Sequence, residues 1–262
     1  MAESTAQVEE AGATIAGRYT LEQLLGRGGM SAVYRARDTR TGQKLALKRG
    51  LPAGARSARR QRELLEREFN VLSQLAHPCI IEVYDYGVDD RGSAYYTMEL
   101  LDGADLHHAG VLPWARVCSL LRDVTSSLSI LHSRGLVHRD VSARNVRCTA
   151  DGRAKLIDFG AMCSMGVAQD VVGTPPFLAP EALQMQALDG RADLFSVGAL
   201  AYYLPTGRHA YPARRLHELR DVWRTAPVPP QRLQSEIPPA LSSLVMQLLA
   251  LDRGRRAHSA PT

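Results

Sequence analysis

Lysine is nearly absent from this chain. Of its 32 basic residues only Lys44, Lys48 and Lys155 are lysine, so the net charge of +5 is carried by arginine. Long apolar runs are missing too. The most apolar stretch, Leu194–Leu204, is too short to span a bilayer and predicts a buried helix instead. No basic start followed by an apolar core opens the chain, which excludes a recognisable secretory signal and leads to the expectation of a cytoplasmic protein without a membrane segment. Cysteine is sparse. Cys79, Cys118, Cys148 and Cys163 have no metal-type spacing and read as reduced thiols, not as a disulfide framework. The arginine-rich run 56–67 lacks interleaved aromatics and contains Glu63 and Glu66. It reads as a solvated helix face, so nucleic acid is not an expected partner.

What is present has an order. With 262 residues, 45% of them hydrophobic, the chain suits one large domain or two lobes with separate cores. Residues 1–17 are small, polar and aperiodic and read as a disordered leader. Strand-like stretches follow at 19–25, 32–37 and 44–48, then a helix over 58–75 stopped by His77-Pro78, then strands over 80–87 and 94–100. Beyond Leu101-Asp102-Gly103 the pattern turns helical, with helices over 114–133, 193–204 (ended by Pro205) and 239–250. The expectation is an α+β protein, with a β-rich lobe holding one helix over 18–101 and a larger α-rich lobe over 102–262. A cleft between lobes is a usual place for a ligand.

Three segments carry chemistry. Residues 138–145 read His-Arg-Asp-Val-Ser-Ala-Arg-Asn, and Asp158-Phe159-Gly160 follows. An acid placed to accept a proton, an amide five residues on, and a second acid beyond suit Mg²⁺ binding and phosphoryl transfer. Gly26-Arg27-Gly28-Gly29-Met30-Ser31-Ala32-Val33 lies between two expected strands, where glycines let a backbone approach phosphates; taken alone it also suits an ordinary hairpin turn. Lys48, in the apolar stretch Leu45-Ala46-Leu47, reads as a point charge for phosphate oxygens, with Glu68 on the next helix as the partner that aims it. The alternative for Lys48 is a snorkelling surface side chain.

With the Met98-Glu99-Leu100 step, Gly173-Thr174, Ala179-Pro180-Glu181, Asp193 and Arg256 in the same order, the chain resembles the eukaryotic-type protein kinases, most of all the bacterial serine/threonine kinases. The resemblance covers Arg18 to Arg256. It implies a bilobal protein-kinase-like fold and ATP and Mg²⁺ as cofactors. It further implies that Gly26, Gly28, Gly29, Ser31 and Val33 cover the phosphates, and that Lys48, held by Glu68, contacts them. Asp140 would serve the substrate hydroxyl, and Asn145 and Asp158 would hold the metal. Val33 and Ala46 would cap adenine, the backbone from Met98 and Glu99 to Leu101 would bond it, and Asp105 would reach the ribose. Glu181 and Arg256 would pair. Partners would be protein substrates, including the chain itself.

The pattern also departs from that family. Ser142 stands where a serine/threonine kinase usually has lysine, and Arg144 is the candidate replacement, the alternative being surface contacts only. Arg147 stands where an apolar residue usually lies under adenine. Stacking on the base is one expectation, a side chain turned to solvent the other. In the segment 158–181, Asp170 occupies a position commonly phosphorylated, so a permanent pair with Arg139 and phosphorylation-independent activity are expected, against a solvated loop aspartate. Related domains continue past Thr262 with a further helix, which suggests part of a longer signalling protein. The leading reading is a serine/threonine protein kinase. The runner-up is a pseudokinase that binds ATP or acts as a scaffold, and a small-molecule phosphotransferase is a third class.

Overall fold

The computed structural model describes residues 12–257. They form two compact units, one of residues 12–76 and 81–101, the other of residues 77–80 and 102–257.

The first unit is a six-stranded antiparallel sheet with one helix. Its strands are β1 (Thr14–Ile15), β2 (Tyr19–Arg27), β3 (Ser31–Asp38), β4 (Lys44–Gly50), then helix α1 (Ala55–Leu72), β5 (Val83–Val88) and β6 (Ala94–Met98). The spatial order is β1-β2-β3-β4-β6-β5. Burial in β3 alternates with a period of two: Ala32, Tyr34, Ala36 and Asp38 are buried, as side chains on opposite faces require. Ala32, Tyr34 and Ala36 join Tyr19, Leu21, Leu45 and Leu47 in one core. In α1, Gln61, Leu65, Glu68 and Leu72 are buried at helical spacing. The helix begins three residues earlier than the sequence pattern suggests, just before the arginine-rich run, and ends before Ser73, whose hydroxyl donates to Asn70 O. The expected leader also needs correction. Thr14 and Ile15 pair with Thr20 and Tyr19, and Ile15 is buried in the sheet core. Residues 1–11 lie outside the described residues.

Register decides which side chains meet. Val33 pairs with Lys48, which pairs with Tyr96, and Ala46 pairs with Met98. Directly opposed residues share a sheet face, so Val33, Ala46, Lys48 and Met98 stand together on one face.

The second unit takes in residues 77–80, which a boundary drawn at residue 101 does not anticipate. Cys79 O accepts from Ser127 Oγ (2.8 Å) and from Leu156 N (3.0 Å), and Ile80 bridges Leu156 instead of entering the sheet. The unit then runs α2 (Trp114–Ser133), β7 (Leu136–Val137), β8 (Val146–Cys148), β9 (Ala154–Leu156), β10 (Cys163–Ser164), β11 (Gly166–Val167), α3 (Pro180–Leu183), β12 (Ala187–Leu188), α4 (Gly190–Thr206), α5 (Leu219–Val222), α6 (Pro230–Leu233) and α7 (Pro239–Leu248). Its short strands pair as β8-β9, β7-β10 and β11-β12. Helix α4 is buried nearly all round and packs on α2 and α7, as the apolar run 194–204 requires. Pro205 does not end it. Proline sits in the last turn, and Gly207, at φ 68°, supplies the left-handed cap with its N–H on Tyr203 O (2.8 Å). Among the described residues no helix is long and apolar enough to cross a membrane.

Candidate active site

Each unit brings part of the sequence-derived set together. In the first, the glycine-rich loop joins β2 to β3, and Gly28 N donates to Ser31 O (2.8 Å). A Cβ placed on Gly26 or Gly29 would meet nothing within 4 Å. Neither glycine is demanded by packing within the chain, and the open backbone fits the approach of an outside group. Lys48 and Glu68 are both buried, with Nζ 2.8 and 2.9 Å from the two carboxylate oxygens. The ammonium also lies 5.8 Å from the centre of the Tyr96 ring. A buried, bidentate ion pair between a strand and a helix aims the cation in one direction. The snorkelling alternative does not describe a lysine with 7% of its surface exposed. Glu99 exchanges two bonds with Glu82: its N–H donates to Glu82 O and its Oε1 accepts from Glu82 N, both at 2.9 Å. That exchange fixes the start of the segment 99–101.

In the second unit Asp140 is the hub. Its Oδ1 accepts from Thr174 N (2.9 Å) and Thr174 Oγ1 (2.7 Å), and its Oδ2 accepts from Asn145 Nδ2 (2.8 Å), which also donates to Asp140 O (2.9 Å). A carboxylate offers about four acceptor positions. The three donors leave roughly one, on Oδ2. With its NH₂ committed to Asp140, the Asn145 side chain turns its carbonyl oxygen away. That oxygen and the Asp158 carboxylate are hard donors of the kind Mg²⁺ prefers. Asp158 Oδ1 accepts from Gly160 N (3.1 Å), which holds the turn. Among the described residues no group of three or more His, Cys, Asp or Glu is placed to hold a metal ion by itself. A metal here takes the rest of its shell from water or a ligand, as Mg²⁺ commonly does.

The loop carrying Asp140 is held from below. Asp193, fully buried in α4, accepts from His138 N and Arg139 N, both at 2.9 Å, and from His132 Nε2 at 2.9 Å. Arg139 has φ 70°, an uncommon conformation for a side-chain-bearing residue, kept by these bonds. The Phe159 ring meets His138 edge-on at 4.8 Å. Gly103 permits another close approach: a Cβ there would sit 1.5 Å from Cys148 O. With glycine, residues 104–106 lie against β8, and Asp105 bridges Arg147. Asp105 Oδ1 accepts from His108 N (3.1 Å) and contacts His108 Nδ1 (2.8 Å). Arg147 is half-buried and opposite Lys155.

The departures also have places. Ser142 is buried, and its Oγ has no partner among the described residues. Arg144 is exposed. Arg139 Nη2 donates to Asp170 Oδ1 (2.9 Å) and Asp170 O (2.5 Å), and Nη1 reaches Ala161 O (3.4 Å). The guanidinium is buried while Asp170 is half exposed. Glu181 and Arg256 form a buried bidentate pair at 2.5 and 3.0 Å. Sequence reasoning read Thr174 only as a mark of serine/threonine specificity, and gave no role to Asp193 or His132. Thr174 and Asp193 stood in the motif order, but their contacts to the 138–145 loop cross 34 and 55 residues.

The model of the protein kinase domain matches residues 19–260. The chain belongs to the protein kinase family, and its α+β fold is that of this family. Among bacterial relatives it is 34% identical to the serine/threonine-protein kinase PksC of Streptomyces coelicolor, over 99% of this chain and 50% of that protein. It is 34% identical to a probable serine/threonine-protein kinase of the same organism (94% and 39%), and 33% identical to serine/threonine-protein kinase PknD of Mycobacterium tuberculosis (93% and 38%). The chain spans half or less of the length of these relatives.

Proposed function

We propose that this chain is a catalytic domain that transfers the γ-phosphate of ATP, with Mg²⁺, to a serine or threonine hydroxyl of a protein. The observation that carries the reading is the Asp140 carboxylate, with three of its acceptor positions committed and one left on Oδ2. A substrate hydroxyl donating there has its oxygen oriented and its proton received by Asp140. Asn145 and Thr174 keep the carboxylate from rotating. Lys48, aimed by Glu68, binds phosphate oxygens, and the backbone of 26–33 approaches them. Asn145 and Asp158 hold the cation, which neutralises charge on the phosphates when bound. Arg144 supplies the positive charge that Ser142 cannot. Met98, Ala46, Val33 and the 99–101 backbone take the adenine, with Asp105 and Arg147 beside the sugar and base. Catalysis is then positioning and charge neutralisation, with no covalent enzyme intermediate. A cytoplasmic setting, self-phosphorylation and a place in a longer signalling protein belong to the same proposal.

Transfer of labelled phosphate from Mg-ATP to a protein or peptide hydroxyl tests it, with mass spectrometry locating self-modified residues. Asp140→Asn is expected to lower the rate by roughly 10²–10⁴. ATP binding by the wild-type chain without any transfer would overturn the reading in favour of a pseudokinase.

A further inference from the structure

A cavity of about 550 Å³ lies in the second unit between α3, α5 and the turn 253–255, away from Asp140 and its partners. Three arginines line it, Arg220, Arg224 and Arg253. Arg220 is exposed and, among the described residues, has no carboxylate partner. Among the described residues the Arg224 side chain makes only a long, exposed contact with Asp221 (3.6 Å), of a kind that contributes little. Arg253 is pre-set: one Nη donates to Ala187 O (2.5 Å), leaving the other N–H groups of its fork.

Of the two lining carboxylates, Glu181 is bound by Arg256 at 2.5 and 3.0 Å, while the exposed Asp252 accepts from Gly254 N at 2.9 Å and lies 3.9 Å from Arg255, which leaves the three arginines in excess. Trp223 also lines the cavity.

We propose that this cavity is a docking site for an acidic segment of the protein substrate, its Asp or Glu carboxylates engaging Arg220, Arg224 and Arg253. The location supports a peptide over a free anion. Glu181 at the cavity is seven residues from Thr174, which touches Asp140. Seven residues of chain reach at most roughly 25 Å. A substrate whose acidic stretch lies a comparable extended distance from its hydroxyl spans both places. The proposal rests on the kinase reading above and names its substrate class.

The test uses paired peptides, one with four glutamates placed about seven residues from a single threonine, the other with four glutamines. In the wild type the glutamate peptide is expected to have a KM lower by roughly three- to tenfold, the effect of one or two exposed ion pairs. Arg220→Gln combined with Arg224→Gln should abolish that difference through KM, whereas Arg134→Gln, which removes one exposed positive charge outside the cavity, should keep it. Fluorescence anisotropy of the labelled peptides, read without nucleotide, separates the two proposals. Absence of phosphate transfer with selective, arginine-dependent binding of the glutamate peptide sinks only the kinase reading. Equal binding of both peptides, binding insensitive to the double substitution, or equal competition by inorganic phosphate or duplex DNA overturns the docking site.

Discussion

At the scale of the residue, the proposed chemistry turns on one carboxylate and one missing cation. Thr174 and Asn145 occupy most of the acceptor positions of Asp140 and leave one direction open. Ser142 is buried and carries no charge, and of the two arginines in the motif Arg139 is held by Asp170 while Arg144 is exposed. If Arg144 neutralises the transferred phosphate, Arg144→Ala should lower kcat by roughly ten- to a hundredfold, the loss of one charge-assisted contact made in the transition state. Arg144→Lys should restore part of it. Steady-state kinetics with a peptide substrate checks this, and unchanged turnover in Arg144→Ala removes the assignment. Most of the residues in this constellation were legible because they lie within one short run, 138–145. Thr174 acquired its role only through a contact 34 residues away, which local spacing does not encode.

At the scale of the element, the segment 158–181 is held at several points without any added phosphate. β10 pairs with β7 and β11 with β12. Arg139 grips both the side chain and the backbone of Asp170. The expected permanent pair is therefore present in geometry, while its effect on activity is a prediction. Wild-type protein treated with a phosphatase should keep most of its activity, and Asp170→Ala should reduce it by about two- to tenfold, because a half-exposed ion pair contributes modestly. Loss of activity on phosphatase treatment would defeat this, with Ser164 the first residue to inspect. The sequence pattern located most of the longer helices and strands, since periodicity is a local property. It misjudged ends set by distant partners: Ile80 follows Leu156 rather than the sheet, and α4 runs through Pro205 to a glycine cap.

At the scale of the whole molecule, carboxylates paired with arginine make both units sensitive to acid. In the first unit Asp38 is held well below the usual carboxylate range, chiefly by the Arg18 guanidinium and also by the Arg40 N–H. Arg18 also reaches Asp85 at 2.6 Å, and burial, together with a bond to Asp85, pushes Tyr19 up to about 12. In the second unit Asp189, the N-cap of α4, is lowered by Arg191 through its side chain and its N–H. Each lowered carboxylate binds fewer protons folded than unfolded. Its contribution is complete above the ordinary carboxylate range and is lost as pH falls through the lowered folded value. Urea midpoints should fall as pH drops from 7 towards 3. Asp38→Asn and Asp189→Asn should be less stable than wild type at pH 7 and converge on it in acid. Midpoint differences that persist undiminished in acid would count against the charge and in favour of shape alone.

The amino-acid sequence by itself determined the class of chemistry. The proposed proton acceptor and metal ligands, the glycine-rich loop and the strand lysine Lys48 are each specified by residue type and short spacing, and short spacing survives in any fold that forms. The tertiary structure alone decided which of these groups meet, and which neighbours hold them. Strand register set Lys48 beside Val33, helix packing brought Glu68 to its ammonium, and α4 delivered a buried Asp193 beneath the 138–145 loop. The same applies to the Arg220, Arg224 and Arg253 cavity, whose arginines are ordinary surface residues until the chain folds them around Trp223. Such placements depend on loop closure and core packing summed over the chain, which no local window of residues contains.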